Sequence, residues 1–149
     1  MQLITVRDLK EMRKFAGFFV ENLPQNSKKA LAVGLFGDLG SGKTTFVQNV
    51  AKILGVKEHL VSPTFVIQKR YLIELKKNGF QNLIHIDAYR LEGGRELLGL
   101  DWKKIKNDPQ NIIFIEWPER VERVLDVDIK KIYFKFIDEN TREISYEES

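Results

Sequence analysis

The chain has 149 residues, 43% of them hydrophobic and 30% charged, and 24 basic against 21 acidic side chains give a formal net charge of +3. That length suits one domain with a substantial core and is short for two, and the composition excludes disordered and fibrous classes. With no cysteine there is neither a disulfide frame nor a thiolate metal site, so any metal needs oxygen or imidazole ligands.

In chain order, "VRDLKEMRKFAGFFVENL" places Leu9, Met12, Phe15, Ala16, Phe19, Val20 and Leu23 on one stripe at helical spacing, and predicts an amphipathic helix ended by Pro24. "ALAVGLF" is apolar throughout and runs into glycine, as a strand buried on both faces does. Helical spacing resumes from Lys43 to Leu54, with Gly55 as its stop. "TFVIQKRYLIEL" and "NLIHIDAY" read as strands, "ELLGLDWKKIK" as a helix and "NIIFIEW" as another buried strand. Pro118 opens a short helical stretch, "PERVERVL", and "DIKKIYFKFI", "DEN" and "TREISYEE" predict a hairpin. Strands alternating with helices give an α/β fold: a single domain over residues 1–149, with a mainly parallel central sheet flanked by helices and a C-terminal β-hairpin at a mixed edge; the glycine-rich motif at 37–44 makes it P-loop NTPase-like. No apolar run approaches the roughly 20 residues of a membrane span and the N-terminus carries acids where a signal peptide is apolar, so a cytoplasmic protein without membrane contact is expected.

The stretch Gly37-Asp38-Leu39-Gly40-Ser41-Gly42-Lys43-Thr44 fits G-x-x-x-x-G-K-[ST], after a buried strand and opening a helix as the pattern requires. Glycines let backbone N–H groups wrap a polyphosphate without side-chain clash, and the helix N-terminus adds unpaired donors and a positive dipole end. Asp38, Leu39, Gly40, Ser41 and Gly42 are thus expected around the phosphates, Lys43 on the β- and γ-phosphates and Thr44 on magnesium, with Thr45 beside them.

Such a loop also needs an acid at the carboxyl end of a neighbouring buried strand. Asp87 and Glu116 both qualify; the cleaner apolar run before Glu116 assigns it the metal and leaves Asp87 to position or polarise the attacking water. Strand alternation puts His85 on the face of Asp87, near the site without making it a ligand. Arg90 is a charge partner for Asp87 or the phosphates, or an ordinary surface ion pair, and Trp117 belongs to the rim of the cleft or the core. The lysine pairs at 28–29, 76–77, 103–104 and 130–131 are dispersed among acids without interleaved aromatics and read as solvated surface.

Together "GDLGSGKTTF", "SPTF", "HIDAYRL" and "EWPER", in this order and spacing, resemble the TsaE family, a small P-loop ATPase of the bacterial machinery that makes threonylcarbamoyladenosine in tRNA. The resemblance implies a cytoplasmic ATPase that uses ATP and Mg2+ and binds TsaB and TsaD, whose hydrolysis supports repeated turnover while TsaD performs the carbamoyl transfer. It matches Lys43 to the phosphate lysine, Thr44 and Glu116 to the magnesium ligands, Asp87 to the acid important for hydrolysis, and Ser62 and Thr64 to a switch-like loop near the γ-phosphate. The segment after "YRL" is shorter and more basic than is common in the family, and the C-terminal third offers no motif, so adenine recognition has no assignment beyond Asp8. A small-molecule kinase and a nucleotide-dependent binding module that hydrolyses little remain alternatives, direct tRNA contact stays open, and the missing N-K-x-D sequence argues against a GTPase.

Overall fold

The computed structural model describes residues 1–25, 27–63, 67–75 and 77–147. Seven strands, β1 (Gln2–Val6), β2 (Leu31–Phe36), β3 (Gln68–Leu72), β4 (Asn82–Asp87), β5 (Asn111–Glu116), β6 (Ile129–Phe136) and β7 (Arg142–Tyr146), form one sheet in the order β1-β7-β6-β2-β5-β4-β3. The central pairs β6–β2, β2–β5 and β5–β4 are parallel, whereas β3, β7 and β1 pair antiparallel.

Alternation along the strands supplies two cores. Val33, Leu35, Leu83, Ile112 and Phe114 face α1 (Leu9–Glu21) and α2 (Lys43–Ile53). Ala32, Ile84, Ile86, Ile113 and Ile115 face α3 (Arg95–Leu98), α4 (Trp102–Lys106) and α5 (Glu122–Leu125). Phe46 anchors α2, fully buried with its ring 5.3–6.1 Å from those of Phe15, Phe19, Phe114 and Phe134. Burial of one such ring contributes about 1.5–3 kcal/mol, and it fixes where the helix begins.

Several elements differ from the sequence-based expectations. Residues 2–6 form a strand that the local pattern did not predict, because its partner β7 lies at the other end of the chain, with Gln2 opposite Tyr146. The first helix therefore starts at Leu9 rather than Val6: Asp8 caps it, accepting from the Glu11 N–H at 2.8 Å, while Glu11 Oε1 accepts from the Arg7 N–H at 3.0 Å. Leu9 is 69% exposed and leaves the apolar stripe. The helix expected across 96–106 is two short helices, broken where Asp101 takes a left-handed conformation (φ 63°). The strand expected at 64–75 is described only as β3, and residues 64–66 lie outside the described residues. The C-terminal hairpin is β6 and β7, with β1 added beyond it. Among the described residues, no helix is long and apolar enough to cross a membrane.

Candidate functional site

The loop between β2 and α2 closes on itself through the Ser41 N–H to the Asp38 carbonyl at 3.1 Å and the Phe46 N–H to the Gly42 carbonyl at 2.9 Å. Gly42 caps α2 in a left-handed conformation (φ 103°). Gly37 has φ 147°, and a Cβ there would collide with the Phe134 carbonyl oxygen and lie 2.7 Å from Ser41 Oγ. Only glycine fits that close approach. Ser41 Oγ is itself buried without a hydrogen-bond partner among the described residues, an unmet polar group within the loop. Asp38, Leu39 and Gly40 are exposed at the loop's tip, Leu39 by 68%. Thr45 is half-buried on α2, its carbonyl accepting from Asn49 Nδ2 at 2.9 Å.

Lys43 folds inward, its ammonium donating to the Gly37 carbonyl and standing 3.7 Å from the centre of the Trp117 ring. Burial pushes its pKa down, against the opposing pull of Glu116, Glu119, Asp87 and Asp38. Trp117 itself holds a left-handed backbone (φ 59°) immediately after β5, where a strand extending through it had been expected. Its ring lies 5.1 Å from that of Tyr89, whose face the Arg120 guanidinium approaches at 5.4 Å.

The two strand-end acids stand side by side, because the β4–β5 register sets Asp87 opposite Glu116, and both are buried. Thr44 Oγ1 lies 3.0 and 2.8 Å from Glu116 Oε1 and Oε2, so the hydroxyl of the glycine-rich loop and the acid of β5 are brought together. Fully buried His85 reaches Glu116 Oε2 with Nε2 at 2.6 Å. Asp87 accepts from Ser62 Oγ at 3.2 Å and from the Tyr89 N–H at 3.0 Å. Arg90 stands on the exposed turn after β4, and Thr64 lies outside the described residues.

Among the described residues no group of three or more His, Asp or Glu side chains is arranged to hold a metal ion. Thr44 and Glu116 instead offer hard oxygens beside the glycine-rich loop, a donor set suited to a cation that takes its other ligands from phosphates and water.

A contact that the sequence did not disclose closes the opposite side. Arg142, at the start of β7, donates from Nε to the Gly40 carbonyl at 3.0 Å and from Nη1 to the Asp138 and Thr141 carbonyls at 2.6 and 3.0 Å. It borders a cavity of about 510 Å³ shared with Asp8, Met12, Gly42, Thr45 and Asn140. No local motif marks Arg142, since only the β6–β7 and β7–β1 pairings bring it to the loop. Tyr89 and Arg120 did carry a signal: they stand beside residues already singled out, in "DAYRL" and "EWPER".

The family model for the threonylcarbamoyl adenosine biosynthesis protein TsaE matches residues 6–144. A tRNA threonylcarbamoyladenosine biosynthesis protein TsaE from Rickettsia typhi (strain ATCC VR-144 / Wilmington) is 33% identical over 139 residues, covering 93% of this chain and 89% of its own. The protein of that name from Bacillus subtilis (strain 168) is 38% identical over 112 residues, 75% of this chain and 66% of that one. The crystal structure of Bacillus subtilis YdiB superposes with a TM-score of 0.70 at 28% identity, covering 97% of this chain and 83% of the other.

Proposed function

The chain belongs to the TsaE family of threonylcarbamoyladenosine biosynthesis proteins, and on that footing we propose that it is a magnesium-dependent ATPase that supports threonylcarbamoyladenosine formation in tRNA together with TsaB and TsaD. The observation that carries the proposal is the meeting of Thr44 Oγ1 with the Glu116 carboxylate at 2.8–3.0 Å, at the first turn of a helix whose glycine-rich entry tolerates no Cβ at Gly37. An anion in that loop receives backbone N–H groups and the helix dipole. The nucleoside would extend into the 510 Å³ cavity past Gly42 and Thr45, toward Asp8 and Asn140.

In this reading Lys43 exchanges its contacts with Gly37 and the Trp117 ring for the β- and γ-phosphate oxygens. The cost of its desolvation is offset there, because the phosphates supply counter-charge beyond that of the acids already near it. Thr44 and Glu116 would hold magnesium, which would supply positive charge against the phosphate oxygens. Asp87, held by Ser62 and the Tyr89 N–H, orients a water toward the γ-phosphorus and accepts its proton. The water oxygen bonds to the γ-phosphorus as the bond from that phosphorus to the bridging oxygen breaks, its electron pair leaving on ADP, and ADP and phosphate depart.

The test is magnesium-dependent ATP hydrolysis by the purified chain, alone and with TsaB and TsaD added. Slow hydrolysis alone that rises with the partners and vanishes in Lys43→Ala is expected. Tight ATP binding without stimulation by the partners would overturn the partnership and leave a binding module.

A further inference from the structure

Asp87 and Glu116 face one another across β4 and β5 in a buried setting, where opposed like charges repel. Their donors separate them. Ser62 and the Tyr89 N–H serve Asp87, whereas Thr44 and His85 serve Glu116. His85 stands opposite Phe114, two positions behind the Asp87–Glu116 pair, so its bond to Oε2 runs diagonally back along the sheet. A carboxylate offers only acceptors, so Nε2 must carry the hydrogen of that 2.6 Å contact. The other ring nitrogen, Nδ1, is buried and has no partner among the described residues. Among the described residues, what the imidazole supplies is one directed donor, from Nε2 to Glu116.

We propose that His85 is a positioning residue for the cation that accompanies the nucleotide. By holding Oε2 of Glu116 back from Asp87, it keeps the carboxylate in the rotamer that meets Thr44 and leaves Asp87 to the water. The Thr44 contact can be exchanged for the cation while the His85 contact persists, so Glu116 need not reorganise when the cation enters. This inference rests on the ATP–magnesium reading above.

The test is Mn2+ binding to the ADP-loaded full chain, followed by electron paramagnetic resonance, with metal-free ADP affinity and thermal melting measured on the same samples. The wild-type complex is expected to hold Mn2+ more tightly than ADP alone does. His85→Leu should weaken that binding by about 10–100-fold, with metal-free ADP affinity unchanged. Glutamine places an amide nitrogen near the position of Nε2 and asparagine near that of Nδ1. His85→Gln should therefore stay within about threefold of wild type, while His85→Asn should behave as His85→Leu. If His85→Leu does not fold, the Gln and Asn variants decide alone. Unchanged Mn2+ binding in the Leu and Asn variants, or a parallel loss of metal-free ADP affinity, would overturn the proposal. A wild-type complex that holds Mn2+ no better than ADP alone would instead remove the parent reading.

Discussion

The glycine-rich loop is held from both sides of β2, and the two sides hold it by different means. Toward β5 and β4 it faces buried ionisable side chains, with Lys43, Glu116, His85 and Asp87 each 6% exposed or less. Toward β6 and β7 it is held by contacts to backbone, with Gly37 against the Phe134 carbonyl and the half-buried Arg142 clasping the Gly40 carbonyl. Buried charge is where electrostatic interactions are strong and where unpaired groups are costly. Contacts to backbone carbonyls set the loop's shape, and a solvent-accessible guanidinium is screened more than the buried groups are. The inner wall should therefore govern turnover and the outer wall affinity, a division that substitutions on either side can break.

The largest effect is expected on the inner wall at Asp87. Asp87→Ala should slow partner-stimulated hydrolysis by about 10²–10⁴-fold with ATP affinity nearly unchanged, as single-turnover and equilibrium binding measurements would show. Loss of ATP binding instead would give Asp87 a structural or metal-holding role. Glu116→Ala should lower magnesium-dependent turnover by about 10²–10³-fold, and wild-type-like hydrolysis in that variant would move the cation to Asp87.

Lys43 stands on the inner wall but also binds the loop's own Gly37 carbonyl, and Lys43→Met separates its two effects. Calorimetry should show ATP affinity reduced by about 10–100-fold, the loss of a charge-assisted contact. Stability should move the other way. Burial holds the folded-state pKa of Lys43 below its ordinary value, so the folded chain releases that proton at lower pH than the unfolded chain does. The charged lysine costs stability at neutral pH, and that cost fades as pH rises through the lowered value toward the ordinary one. The Lys43→Met variant should therefore melt above wild type at pH 7, by about 2–4 °C for each kcal/mol recovered, with the gap closing at alkaline pH. The smallest effect is expected on the outer wall: Arg142→Ala should weaken ATP binding by about three- to tenfold and leave the rate at saturating ATP unchanged. A loss of saturated rate in Arg142→Ala would dissolve the distinction between the walls.

The same division governs what the sequence disclosed. The strand–loop–helix unit around Lys43 is written in consecutive residues, so its motif, its apolar strand and its helical spacing were all legible together. Glu116 and Asp87 were legible because each ends a run of apolar strand residues, though their mutual register was not, since it depends on which strands pair. His85 was placed correctly on the face of Asp87 by alternation, yet nothing local shows that its partner is Glu116. Strand β1 and the Arg142 clasp were invisible for one reason: both depend on pairing between the two ends of the chain. The apolar pattern predicts a strand continuing through Trp117, and the left-handed turn that lays its ring under Lys43 carries no glycine or asparagine to announce it.

The pairing of Gln2 with Tyr146 also orders events during synthesis. The glycine-rich loop is complete once Thr44 has been made, but the arginine that fastens it is almost the last part of the sheet to emerge. A nascent chain therefore carries its glycine-rich loop unfastened until β7 has been made, and β1 until then lacks its partner strand. Assembly of the glycine-rich loop is in this way tied to synthesis of β7, and a chain cut short before β7 would keep the motif and lose the clasp.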